Sequence, residues 1–221
     1  MSLQEKLDAL KAQAGRGRVS PEARTVMNRA LDDLIVSCQA QQALALGGRA
    51  PSFTLPGHDG APVSSHHLLS SGPLVVSFYR GVWCPYCNLE LKALQGAMSA
   101  IDAAGGALVA ISPQTPSNSR RATRDNGLDF QILSDAGNSV ANAFGLRWRL
   151  PGDLLQTYKD LGIDLALING DASGTLPMPA RYVIARNGTV VYAEVNPDYM
   201  RRPEPELLLP ALRKAAQVYA V

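Results

Sequence analysis

Leu74-Val-Val-Ser-Phe-Tyr-Arg-Gly-Val-Trp-Cys84-Pro-Tyr-Cys87-Asn-Leu-Glu90 is the stretch on which the fold turns. Leu74 to Tyr79 is a continuous apolar run of strand length, and from about Pro85 to Ala103 the apolar residues Leu89, Leu91, Leu94 and Met98 follow a helical spacing. A strand therefore runs into a cysteine at the start of a helix. Pro85 suits the first helical position. A helix N-terminus offers unpaired N–H groups and a partial positive charge that favour a thiolate, and there a cysteine pKa of about 8.5 falls to between about 3.5 and 7.5. The three-residue spacing lets the second sulfur reach the first without unfolding the helix, so a disulfide can form and be re-reduced. With Trp83 just ahead of it, the pair Cys84 and Cys87 reads as a redox-active centre. A zinc site needs four ligands, and the chain has no second CxxC and no His-x-x-His. His58, His66 and His67 read as loop surface, so neither a metal nor an organic cofactor is implied.

Working outward, Ala107–Ile111 and Asp129–Leu133 read as further strands, with a polar helix from about Thr115 to Asn126 between them and a short helix at about Asn138 to Phe144. Tyr182–Ala185 and Thr189–Ala193 flank Arg186-Asn187-Gly188 as a tight antiparallel hairpin. About Glu204 to Ala216 closes the chain as a helix that Pro210 should kink or delimit. Strands alternating with helices predict an α/β fold. Arg147-Trp148-Arg149, beside Pro151-Gly152, reads as a surface loop.

The first fifty residues lack Phe, Tyr and Trp altogether, which marks a boundary. Leu3, Leu7 and Leu10 share one helical face. A second helix opens with Ser20 as N-cap and Pro21 at its first position, carries Val26, Ala30, Leu31, Leu34, Ile35 and Cys38 on its apolar face, and should end at Gly47-Gly48. Residues 1–46 are thus an N-terminal helical arm, too thin for a core of its own. It must clasp the domain of residues 47–221 or pair with a second copy in a homodimer. Cys38 reads as a core residue.

The formal net charge is +2 and charged residues make up 18% of the chain, scattered without a run or stripe, which argues against nucleic-acid and membrane-surface binding. No apolar stretch reaches membrane-spanning length. Met1 to Gly15 has no secretory pattern, so a cytoplasmic protein is expected.

Gly48-Arg-Ala-Pro-Ser-Phe-Thr-Leu-Pro-Gly-His-Asp-Gly60, the strand ending at Phe78, the cysteine helix, and Phe130-Gln-Ile-Leu-Ser-Asp135 followed by Val140 to Gly145 together resemble the peroxiredoxins named for alkyl hydroperoxide reductase and thiol-specific antioxidant. The likeness runs from about Gly48 to Val195. It implies a thioredoxin-like fold, with a central mixed β-sheet flanked by helices and the helical arm as an extension. The family reads Pro-x-x-x-Thr-x-x-Cys. Its peroxide-attacking cysteine falls on Cys87, its threonine on Cys84, its proline on Arg80, the glutamate three residues on at Glu90, and its distant arginine on Pro179. Chemistry at Cys87 would then lack the usual threonine and arginine, with Arg80 or Arg181 as possible substitutes.

Those replaced positions are instead similar to thioredoxin, with Cys84 as the exposed attacking cysteine, Cys87 as the buried one and Pro179 as the cis-proline. Glu90 would stand in for the missing carboxylate that takes the buried thiol's proton. The resemblance implies a thiol-dependent antioxidant peroxidase of the subgroup carrying CxxC, served by a thioredoxin- or glutaredoxin-type reductant. A reductase acting on protein disulfides through Cys84 stands beside it, and a redox-sensing or scaffold module is the third reading.

Overall fold

A computed structural model describes residues 1–14 and 19–217. In chain order it contains α1 (Leu3–Ala14), α2 (Pro21–Val36), β1 (Thr54–Pro56), β2 (Pro62–Ser64), α3 (Ser65–Ser71), β3 (Leu74–Phe78), α4 (Pro85–Gly96), α5 (Met98–Ala103), β4 (Ala107–Ser112), α6 (Pro116–Asn126), β5 (Gln131–Ser134), α7 (Ser139–Ala143), β6 (Arg147–Arg149), α8 (Gly152–Asp160), α9 (Leu165–Asn169), β7 (Thr175–Pro177), β8 (Ala180–Ile184), β9 (Val190–Val195) and α10 (Leu208–Gln217).

The run that begins at Leu74 is apolar at almost every position because β3 is the central strand of a five-stranded sheet, ordered β5-β4-β3-β8-β9. Both its faces are covered. It pairs in parallel with β4, which pairs in parallel with β5, and antiparallel with β8, which pairs antiparallel with β9. Alternation of side chains divides the core. Val75 and Tyr79 point to the layer holding Cys84, Cys87, Leu91 and Leu94 of α4. Leu74, Val76 and Phe78 point to the layer of Phe53, Phe144 and Tyr182.

The arm is covered by its own chain. Leu3 and Leu7 of α1 are buried in the layer that holds Cys87, and Ala30 of α2 packs with Leu154 and Tyr158 of α8. Two carboxylate oxygens from the far end of the chain cap α1, since the N–H groups of Leu3 and Gln4 donate to Glu204 at 3.0 and 3.2 Å. Ser20 caps α2 by accepting from the Ala23 N–H at 3.2 Å.

Several expectations need correction. Helix α2 stops at Val36 instead of Gly47, and Cys38 adopts a left-handed φ of 56° with its side chain exposed. It is not a core residue. The helix expected over Pro85–Ala103 is two, broken at Ala97. Pro210 neither kinks nor ends α10, because it lies in the first turn, where backbone N–H groups have no helical partner to lose. Arg147-Trp148-Arg149 is strand β6, paired antiparallel with β7. No helix among the described residues is long and apolar enough to cross a membrane.

Candidate active site

Six residues, Tyr79 to Cys84, carry the chain from β3 to α4, and their bends are dictated locally. Gly81 sits at a φ of 137°, and a Cβ there would meet the Trp83 indole nitrogen at 2.7 Å, so only glycine fits the approach. The Val82 N–H donates to Gln114 Oε1 at 2.8 Å and Asn88 Nδ2 donates to the Val82 carbonyl at 2.8 Å. Pro85 then fixes the first helical position, with Cys84 as the N-cap and Cys87 within the first turn.

The two thiols differ sharply in surroundings. Cys84 is 1% exposed, not the open residue expected, but it lines a cleft of about 680 Å³. Cys87 is fully buried and takes no part in that lining. Burial pushes the Cys84 pKa up, yet the Cys87 thiol, Arg80, the Cys87 backbone N–H and Arg202 outweigh it and bring it down to about 6. For Cys87 the direction is the opposite. Burial and the neighbouring Cys84 raise it well above the ordinary thiol range against the pull of Arg202 and Arg80.

Arg80 stands where the resemblance places a proline, and it is buried. Its Nη1 lies 4.0 Å from Cys84 Sγ and its Nη2 donates to the Tyr158 hydroxyl. The guanidinium carbon sits 4.0, 4.7 and 5.5 Å from the ring centres of Tyr199, Trp83 and Tyr158, an aromatic cage that suits a desolvated cation. Burial works against its charge, but Tyr158, Cys84 and Tyr199 hold its pKa above the usual value. Among the described residues it is the only charged side chain lining the cleft, whose remaining wall is largely apolar and aromatic and includes Leu10, Val19 and Met27 of the arm.

Beneath Cys87 lies a second charged cluster. Glu90, on the same face of α4, is buried and receives Arg181 Nε at 2.8 Å and also Arg202 Nε. Burial pushes its pKa up, but Arg202 and Arg181 hold it below the carboxylate range. Glu90 is therefore an ion-pair partner and not the proton acceptor expected. Arg181, brought beside Ser77 by the β3–β8 register, pairs with Glu90, and its Nη1 and Nη2 hydrogen-bond to neither sulfur. Pro179 is buried at the start of β8, where its carbonyl accepts the Asn196 N–H at 3.1 Å. The described residues contain no cis peptide bond, so the expected cis-proline is absent.

Sequence reasoning missed Arg202, whose Nη2 is 3.8 Å from Cys87 Sγ, and Tyr158 and Tyr199 of the Arg80 cage. All three come from segments with no local motif. Trp83 was expected at the site and is there, its ring centre 5.4 Å from that of Tyr158.

The chain is similar to peroxiredoxin Q of Oryza sativa subsp. japonica, with 30% identity over 150 residues, covering 68% of this chain and 58% of that protein. It is also similar to peroxiredoxin Q of Gentiana triflora, with 30% identity over 144 residues, covering 65% of this chain and 56% of that protein. It thus spans less than two thirds of the length of these plant relatives. Both are described as chloroplastic. In fold it matches the peroxidoxin BcpB of Mycobacterium tuberculosis with a TM-score of 0.63 and 22% identity, covering 77% of this chain and 97% of that one. The family model described as AhpC/TSA matches residues 46–193, more than half of the sequence, and the chain accordingly belongs to the AhpC/TSA family.

Proposed function

We propose that the protein is a thiol peroxidase in which Cys84 attacks and Cys87 resolves. The observation that carries this reading is the placement of Cys84 on the cleft wall, its pKa brought down to about 6, with Arg80 Nη1 at 4.0 Å, while Cys87 is sealed underneath. A thiolate is the nucleophile, and the caged guanidinium supplies fixed positive charge where the O–O bond breaks. The Cys84 thiolate takes the nearer peroxide oxygen and becomes a sulfenic acid, and the other oxygen leaves as an alkoxide that picks up a proton from solvent. Cys87 then condenses with the sulfenic acid, releasing water and forming the Cys84–Cys87 disulfide, which a dithiol of the thioredoxin or glutaredoxin type reduces. A reducing, cytoplasmic setting suits that cycle. The order of the cysteines is the reverse of the one the family alignment implies.

The same asymmetry of the two thiols also favours a second reading, reduction of protein disulfides through Cys84. Against it, the arm roofs the cleft, which narrows access for a folded partner.

Trapping decides between them. Cys87→Ser should hold a sulfenic acid on Cys84 after one equivalent of hydroperoxide, and Cys84→Ser should be inert. A sulfenic acid on Cys87 in Cys84→Ser would reverse the assignment. Peroxide left untouched, with mixed disulfides accumulating on Cys87→Ser, would move the protein to the second reading.

A further inference from the structure

Residues 196–204 lie past the 46–193 segment matched by the family model, and they bring one side chain against a reacting sulfur. Arg202 is buried, and its donors are assigned in an ordered way. Nε donates to Glu90, and Nη1 donates to the carbonyls of Tyr199 and Arg201 at 2.8 and 2.6 Å. Nη2 is left facing Cys87 Sγ at 3.8 Å. The Arg202 backbone N–H donates to Gln4 Oε1 of the arm at 3.3 Å, so the loop is fixed as well as the side chain. Pairing with Glu90 alone requires only one edge of a guanidinium. Here Nη2, which the Glu90 contact does not use, lies beside the sulfur.

We propose that Arg202 is a catalytic residue acting on Cys87, stabilising its thiolate when it closes the Cys84–Cys87 disulfide and again when it is expelled on reduction. The closing half rests on the peroxidase reading, and the opening half does not. In closing, Cys87 gives its proton to solvent and its electron pair forms the S–S bond. The Cys84 S–O bond breaks, and the departing oxygen leaves as water after protonation. In opening, the thiolate of an external dithiol bonds to Cys84 Sγ, the S–S bond breaks and its electron pair returns to Cys87 Sγ beside Arg202. The second thiol of the reductant then displaces Cys84 as a thiolate and leaves as a cyclic disulfide.

The charges around Cys87 also set an order. In the reduced pair, burial and Cys84 raise the Cys87 pKa while Arg202 and Arg80 lower it. Oxidation of Cys84 to a sulfenic acid removes its negative charge, and the two guanidiniums then oppose burial alone. Cys87 thus becomes more acidic only once it has something to attack.

The test uses the full chain and two rates. Closure is timed by dimedone trapping of the Cys84 sulfenic acid after one equivalent of cumene hydroperoxide, and opening by dithiothreitol acting on the disulfide preformed with diamide. In Arg202→Met both should slow by at least about tenfold, the effect of one pKa unit on the thiolate population. The oxidation of Cys84 itself should change much less, and Arg202→Lys should recover part of the loss. A merely structural role would not separate these steps. Should Arg202→Met fail to fold, Arg202→Gln, which keeps a side-chain donor for Glu90 and leaves the Glu90–Arg181 pair intact, is read in the same way. Opening within about twofold of the wild-type rate in a folded variant overturns the proposal. If the wild-type chain ignores cumene hydroperoxide, the peroxidase reading falls, and the opening rates still decide the role of Arg202.

Discussion

Arg80 shows how one side chain changes the chemistry of a site. A proline at that position carries no charge, whereas here a guanidinium caged by three aromatic rings lies 4.0 Å from Cys84 Sγ. An opposite charge at that distance favours the ionised form. Because the Cys84 pKa is lowered to about 6, the thiolate grows in as pH rises through that value and is nearly complete at neutrality. The rate of Cys84 alkylation by iodoacetamide, measured in Cys38→Ser so that the Cys87 thiol stays in place and with the modified residue located by peptide mass, should therefore rise between about pH 5 and 7 and then level off. Arg80→Met should move the rise upward by at least about one pH unit. A midpoint near 8.5 in the presence of Arg80, that of an ordinary thiol, would show that the guanidinium does not act on the sulfur.

Among the elements, α4, β8 and the 196–204 loop are joined by the Glu90–Arg181–Arg202 cluster, whose side chains are all almost completely buried. Removing one member of such a group leaves uncompensated charge in the interior, which typically costs about 3–5 kcal/mol. Glu90→Gln should lower the unfolding free energy of the reduced protein in urea by about that much, and a loss below about 1 kcal/mol would mean that the cluster is solvated and dispensable. This cluster also marks where sequence reading stopped. The strand at Leu74, the CxxC helix start and the β8–β9 hairpin are written in adjacent residues, as apolar runs, a proline and an Arg-Asn-Gly turn, and all three were legible. Arg202 meets Cys87 across 115 positions, and nothing in its own Pro-flanked loop records that meeting. Cys38 failed for another reason. It continues the helical spacing of Leu31 and Leu34, but Ser37 Oγ bonds the Leu34 carbonyl at 2.7 Å and the chain turns left-handed without a glycine to announce it. Strands β1, β2, β6 and β7 have three residues each, too few to show a period.

On the scale of the whole molecule, the arm is part of the site. It buries Leu3 and Leu7 in the layer that holds Cys87, supplies Leu10, Val19 and Met27 to the cleft and fixes the Arg202 backbone through Gln4. A chain beginning at Gly47 should lose thermal stability, since each buried leucine is worth about 1.5–3 kcal/mol, and should react faster with bulky alkylating reagents at Cys84. A truncated chain matching the parent in thermal midpoint and reagent selectivity would show the arm to be an appendage. The cap on α1 adds a consequence for synthesis. Leu3 waits for a carboxylate 201 residues later in the chain, and at a translation rate of about 5–20 residues per second that interval is about 10–40 seconds. The dithiol itself waits a shorter time, since 115 residues separate Cys87 from Arg202, about 6–23 seconds at the same rate, and through that interval the cysteines and the arm have both been made while the guanidinium that faces Cys87 has not.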